Sequence, residues 1–194
     1  MNCIRMPALV FVVAFALVGC VTPQPNMRLS DVVAAPVEPG PNKALVYFLR
    51  PSQLGFGVHA AVYDGDEFIG FVPFNQKLPY QAEPGEHTFM VVSEAADFMT
   101  ADLVAGRTYY AQVVPRMGTW RARFSLWAIS AADLKTEQVR GWIDNAPTVK
   151  NKQEAYTWAK NNAPSVQSKR DAYYAKWITK SDDLRPHLKA EDGE

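Results

Sequence analysis

"VHAAVYDGDEFIGFVP", residues 58–73, sets the fold class. Two runs of strand-forming residues flank Asp64-Gly65, and glycine readily takes the positive φ of a tight turn, so the pair predicts a β-hairpin. The neighbouring segments read the same way. "ALVYFLRPS" (44–52) is a short apolar run stopped by Pro51, and "HTFMVVS" (87–93) follows the turn pair Pro84-Gly85. "FMTADLV" (98–104) and "TYYAQVV" (108–114) are separated by Ala105-Gly106-Arg107. "RARFSLWAI" (121–129) alternates, with Ala122, Phe124, Leu126 and Ala128 on one face and Arg121, Arg123 and Ser125 on the other. Seven or eight short strands result, with no helical period between them. The expected fold is mainly β, an antiparallel β-sandwich over 43–129 with a helical extension over 130–194.

Composition narrows the function classes. The chain has 194 residues, 48% of them apolar, enough for a packed core. Its 20 basic and 20 acidic residues give zero formal charge. That balance supplies no electrostatic footprint for nucleic acid. The two cysteines, Cys3 and Cys20, both lie near the N-terminus.

The first segment has the parts of an export signal: Arg5 as a positive n-region, then an apolar run from Ala8 to Val18 that is short for a bilayer span. Leu17-Val18-Gly19-Cys20 resembles a bacterial lipobox. The resemblance implies cleavage of residues 1–19, lipid on the Cys20 thiol and acylation of the new amine. Val21 rather than Asp after the cysteine implies the outer membrane, with the body facing the periplasm. On that reading both thiols are consumed. No disulfide, cysteine nucleophile or thiolate metal site remains. Residues 20–42 carry Pro23, Pro25, Pro36, Pro39 and Pro41, the composition of an extended tether between lipid and folded body.

Four blocks carry a second resemblance: "ALVYFLRPS" (44–52), "VYDGDEFIG" (62–70), "YQAEPGEHTF" (80–89) and "LVAGRTYYAQV" (103–113). In this order they resemble the small envelope lipoproteins grouped as domain of unknown function two-eight-four-six. The resemblance covers residues 43–114. It implies a β-sandwich at the cell envelope and brings no catalytic residue.

Beyond residue 130 the pattern changes. Ser130 and Asp133 predict the cap of a short helix through Arg140, closed by Gly141. "NAPTVKNKQEAYTWAK" (145–160) and "NAPSVQSKRDAYYAKW" (162–177) then repeat at a period of seventeen. Each copy predicts one helix, with Thr148 and Ser165 as N-caps and Pro147 and Pro164 just outside. Val149, Gln153, Tyr156 and Lys160 would share one face, and Val166, Arg170, Tyr173 and Trp177 the matching face, laid against the sandwich. The charged tail after Ser181 is expected to fray.

Chemistry-bearing patterns are sparse. His59, His87 and His187 form no metal-binding pair at helical spacing, and no Gly-x-Ser-x-Gly elbow supports a Ser-His-Asp triad. Asp64, Asp66 and Glu67 lack the spacing of a calcium loop. No cofactor or metal is expected. The candidate ligand-binding residues lie in "RMGTWRARF" (116–124): Arg116, Arg121 and Arg123 offer guanidinium forks and Trp120 an aromatic face to an anionic glycan or lipid headgroup. The leading expectation is a non-catalytic envelope lipoprotein that contacts an envelope protein or peptidoglycan. A ligand-binding lipoprotein and a hydrolase with a dispersed triad are the alternatives.

Overall fold

The computed structural model describes residues 29–33, 37–119 and 122–194. The expected signal segment, Cys20, most of the expected tether, Trp120 and Arg121 lie outside the described residues. Along the chain the strands are β1 (Ser30–Val32), β2 (Ala44–Leu49), β3 (Ala61–Asp64), β4 (Glu67–Phe71), β5 (Lys77–Ala82), β6 (Gly85–Val92), β7 (Ala96–Leu103), β8 (Thr108–Arg116) and β9 (Arg123–Ala128). Helix α1 (Glu137–Asn145), strand β10 (Val149–Asn151), helix α2 (Gln153–Trp177) and strand β11 (His187–Leu188) follow. One sheet has the order β11-β7-β6-β3-β4 and the other β5-β2-β8-β9, while β1 and β10 form a two-stranded ribbon. Pairing is antiparallel except for β2 with β8 and β11 with β7.

The chain is therefore a mainly β sandwich, and its alternation explains the layering. Val46 and Phe48 of β2, Val62 of β3, Phe89 and Val91 of β6, and Phe124 and Leu126 of β9 meet between the sheets. Their alternate neighbours are apolar too. Ala61, Tyr63, Met90, Val92 and Phe98 turn outward onto Ala155, Val166 and Trp177 of α2. Leu45, Tyr47, Leu49 and Tyr110 turn outward onto Val139 and Ile143 of α1. Strands buried on both faces read as continuous apolar runs, which is why "ALVYFL" shows no polar alternation. The result is four layers: helix, sheet, sheet, helix.

The hairpin at 58–73 forms as expected, with Asp64 paired to Glu67 and Gly65 at φ +55 in the two-residue turn. Gly70 is held at φ +154, and a Cβ there would stand 2.4 Å from Asn151 Oδ1. Glycine at 70 is thus what lets Asn151 donate to the Ile69 carbonyl at 2.7 Å and dock β10 beside β4. Strand β5 has no clear sequence signal because Pro79 interrupts it. Proline is tolerated there because β5 is an edge strand.

The C-terminal expectations need correction. Ser130 and Asp133 do exchange hydrogen bonds, but they start only a 3-10 turn over Asp133–Lys135. The helix begins afresh, with Thr136 Oγ1 accepting from the Val139 N–H at 3.3 Å, and runs through Gly141 rather than stopping at it. The two copies that repeat at a period of seventeen are not two helices. In the first, Thr148 caps nothing, since Val149–Asn151 is strand β10. Val149, 1% exposed, fills the seam between the sheets, and the Pro147 carbonyl accepts from the Lys77 N–H at 3.0 Å. In the second copy Pro164 and Ser165 lie inside α2, a single helix of 25 residues.

Pro164 has no N–H for the Lys160 carbonyl, a defect of about 3 kcal/mol in a helix interior. Burial of Val166 and Trp177 on the inner face, about 1.5–3 kcal/mol for each such side chain, offsets it. Of the predicted faces, Val166, Tyr173 and Trp177 do meet the sheet, whereas Tyr156 is exposed.

Nor is the tail frayed. Strand β11 adds to β7 in parallel, Leu188 is fully buried, and the Tyr109 hydroxyl donates to the Ala190 carbonyl at 3.1 Å. Glu194 exchanges backbone hydrogen bonds with Thr108, and its carboxylate takes both Arg140 and the Tyr110 hydroxyl. Arg140 holds the Glu194 carboxyl below its ordinary pKa. Tail and β10 cover opposite edges of the sandwich, where unpaired strand groups would otherwise face solvent. Leu188→Ala should cost about 2–5 kcal/mol in denaturant unfolding, the cost of truncating a buried leucine. A frayed tail would give no change.

Candidate functional site

The end of the sandwich bearing the 50–60, 72–76 and 93–95 connections, with residues 117–119 and Ala122, gathers most of the chemistry. Arg50 organises it. Its side chain is 1% exposed, and its guanidinium donates to the carbonyls of Val58 at 3.0 Å, Val72 at 3.3 Å and Gly55, while lying 4.4 Å over the Phe124 ring. Burial lowers its pKa to about 10, which leaves it charged at neutral pH. Backbone carbonyls thus offset the desolvation of a buried cation, and the loop 51–59 is tied to β2 and β4. Gly55, at φ +68, lets this loop approach Ala122, because a Cβ at position 55 would lie 2.6 Å from the Ala122 Cβ.

A cationic groove of about 270 Å³ lies between the start of β7, the facing ends of β8 and β9 and the C-terminal end of α2. Arg116 and Arg123 stand directly opposite each other on β8 and β9. Like charges so placed repel, and carboxylates from the start of the neighbouring sheet's β7 relieve the repulsion. Asp97 accepts from Arg116 at 3.3 Å, and Glu94, in the turn before β7, pairs with Arg123 at 2.8 Å. The far end of α2 adds Lys176, 5.8 Å over the Tyr173 ring, and Lys180 follows it, 3.7 Å from Asp97. Trp177, 3% exposed, closes the floor.

Of the four residues singled out by sequence, Arg116 and Arg123 are brought together, while Trp120 and Arg121 lie outside the described residues. Sequence reading missed Asp97, Lys176 and Lys180. They lie far apart in the chain, and nothing local marks them. Guanidinium forks and flexible ammonium groups around a recessed surface suit carboxylate or phosphate.

The histidines have separate roles. His59 packs against Phe71 at 4.7 Å and Trp158 at 6.0 Å; burial, aided by the Arg50 charge, lowers its pKa to about 4, so it is neutral at pH 7. His187 on β11 places Nδ1 2.9 Å from Thr100 Oγ1 and Nε2 3.2 Å from Asp102. This chain of three runs over the outer surface of β7, with the Asp102 side chain 51% exposed, and it pins the tail. His87 holds Nδ1 2.6 Å from Asp64 Oδ2 and Nε2 2.8 Å from the Glu83 carbonyl. Asp64 and Glu67 also accept from the Tyr80 hydroxyl, at 3.0 and 3.3 Å, which pushes the Tyr80 pKa up together with burial. The acidic residues of the hairpin are therefore engaged by protein groups. Among the described residues no group of three His, Cys, Asp or Glu is placed to hold a metal ion, and no helix is long and apolar enough to cross a membrane.

No protein-family model, curated protein or solved structure matches this chain.

Both partners of the His87 ring are acceptors, Asp64 Oδ2 and the Glu83 carbonyl, so the site favours the doubly protonated ring. The hydrogen bond to Asp64 raises its pKa above 6.5, burial opposing and the Glu83 carbonyl assisting. A group whose pKa is raised on folding stabilises fully below its unfolded value and loses that contribution as pH climbs through the folded one. Folding stability should therefore decline as pH rises from 6.5 through the raised His87 pKa. His87→Gln should be less stable at pH 6 and should lack that part of the slope in denaturant titrations at a series of pH values.

Proposed function

We propose that this chain is a non-catalytic bacterial envelope lipoprotein whose folded body recognises an anionic group of an envelope component through the Arg116–Arg123 groove. The observation that carries this reading is the convergence of four cations from two strands and the end of α2, around a groove containing Asp97. Two of the cations, Lys176 and Lys180, reach it because α2 continues unbroken through Pro164 to Trp177. Asp97 and Glu94 position the guanidinium groups and do not cancel the four charges. A carboxylate or phosphate on peptidoglycan, a membrane lipid or a partner protein has the complementary chemistry.

The address rests on the lipobox resemblance at Leu17–Cys20 and the proline-rich tether that follows. Lipid on Cys20, cleavage after Gly19 and outer-membrane sorting facing the periplasm belong to the proposal. A triacylated N-terminus would anchor the chain firmly, since a single acyl chain binds only marginally. Kinship with the lipoproteins of domain of unknown function two-eight-four-six belongs to it as well, on the four ordered blocks in residues 43–114.

One observation favours a second reading, a hydrolase: Thr100, His187 and Asp102 stand in the order of hydroxyl, imidazole and carboxylate. Ester turnover abolished by Thr100→Ala would establish it; the expected result is no turnover in either protein.

The main reading is tested by co-sedimenting the native lipoprotein with peptidoglycan fragments and with vesicles containing anionic lipid. Arg123→Ala with Lys180→Glu should weaken binding about tenfold or more and flatten its salt dependence. Unchanged binding to both materials would refute the groove. Mass spectrometry that found residues 1–19 attached and no fatty chain would refute the address.

A further inference from the structure

The two ends of the sandwich differ in character. Strand registers set Leu49, Lys77, Val92, Ala96, Arg116 and Arg123 at one end. The Ser93 hydroxyl, donating to the Ala122 carbonyl at 3.1 Å, joins the sheets there. Asp64, Asp66, Glu67, Glu83, Glu86 and Asp102 sit at the opposite end, where Glu86 and Asp102 face each other across β6 and β7. By contrast, residues 51–60 and 72–76 contain no Asp or Glu. Glu94 and Asp97, which border that end, pair with Arg123 and Arg116. The zero formal charge of the chain therefore conceals a polarised body, acidic at the hairpin turns and cationic at the groove.

The cationic end also carries apolar tips. Leu54, Phe56, Phe74 and Met117 are exposed by 52, 59, 36 and 84%. Arg50 fastens the loops that bear the first three. Its guanidinium holds the Gly55 carbonyl, between Leu54 and Phe56, and its own carbonyl accepts from the Asn75 N–H at 2.8 Å, next to Phe74. Met117 borders the cationic groove directly. Large apolar side chains held in water beside unburied cations mark an interaction surface. A peptidoglycan strand offers the anions without an apolar layer. A second copy meeting this end with its own would set Lys176 and Lys180 against like charges. An anionic bilayer offers headgroup phosphates at its surface and an apolar layer just beneath, and it needs no pockets shaped to separate tips.

We propose that this end of the body docks on an anionic lipid surface, with Leu54, Phe56, Phe74 and Met117 entering the headgroup boundary and the Arg116–Arg123 groove on the phosphates. The inference rests on the reading of that groove as an anion site and names a membrane lipid as the bearer of the anion. The long stems of Lys176 and Lys180 let their ammonium groups stay at headgroup level while the tips lie deeper. The acidic end then points away from the negative surface.

The full chain, reconstituted in phosphatidylcholine vesicles with or without phosphatidylglycerol, tests this. A thiol-reactive bimane is placed on Met117→Cys or, at the opposite end, on Val104→Cys. The parent chain, with Cys3 and Cys20 alone, is the blank. Quenching by lipid carrying a doxyl group high on its acyl chain reports insertion, because side chains at such a surface lie about 5–10 Å deep. With phosphatidylglycerol present, the label at 117 should be quenched about threefold more than the label at 104, and Leu54→Ser should reduce that difference. Removing phosphatidylglycerol should reduce it as well. Tips that meet a protein or a second copy would leave the label at 117 unquenched by lipid, which overturns the proposal. Equal quenching at 104 and 117, or quenching unaffected by Leu54→Ser, overturns it too. Arg123→Ala with Lys180→Glu reports the groove separately. Quenching that Leu54→Ser abolishes but this pair leaves intact would refute the anion reading while the tips remain inserted.

Discussion

The central strands of this sandwich are apolar on both faces, and the rest of the fold answers that constraint. On β2, Val46 and Phe48 point between the sheets while Leu45, Tyr47 and Leu49 point away, and all are buried. The same holds for β3 and β6, where Val62 and Phe89 face inward and Tyr63 and Met90 outward. A two-layer sandwich would leave these outward residues in water, at about 1.5–3 kcal/mol for each large side chain. The chain after residue 130 is what prevents this. Helix α1 covers one sheet and α2 the other, while β10 and the tail close the two open sides. The C-terminal third is as much part of the fold as the strands.

That covering arrangement also generates the polar features. Where α2 crosses the end of the sheet it leaves a recess beside His59, and where it ends it delivers Lys176 and Lys180 to the arginines of β8 and β9. The recess beside His59 has the turn at Ser93 and Glu94 as one wall, fastened by the Glu94–Arg123 ion pair and by Lys169 on the Ser93 carbonyl. Arg50 fixes the opposite wall through carbonyls of the 51–59 loop. Buried charge therefore sits where loops must be held in one conformation, and the sites stand on rigid elements rather than on free loops.

Local chemistry made the strands legible and misled about the repeat. Asp64-Gly65, Pro84-Gly85 and the alternation around Phe124 and Leu126 are short-range signals, and each marks an element that forms. Pro79 hid β5 because the tolerance of an edge strand depends on neighbours that the local sequence does not show. The copies at 145–160 and 162–177 share residues but not conformation. Asn151 finds the Ile69 carbonyl beside Gly70 and Val149 finds the seam between sheets, so the first copy opens extended. Its counterpart, facing a continuous apolar sheet, stays helical through Pro164. Tertiary contacts outweighed identical local preferences. The site was half legible: Arg116 and Arg123 stand out as a cluster in sequence, but Asp97, Lys176 and Lys180 join them only across the fold.

By itself the sequence determined the class of structure, strands joined by tight turns, because turn residues and apolar runs act over a few positions. It also determined the overall charge balance, 20 basic against 20 acidic residues. Only the tertiary structure decided that one repeat opens as a strand while the other is helical throughout, that the charged tail is built into an edge, and that four dispersed cations share a groove. Each of those outcomes is a choice of partner between residues distant in the chain. The energy of that choice resides in contacts which do not exist until the sheets have closed.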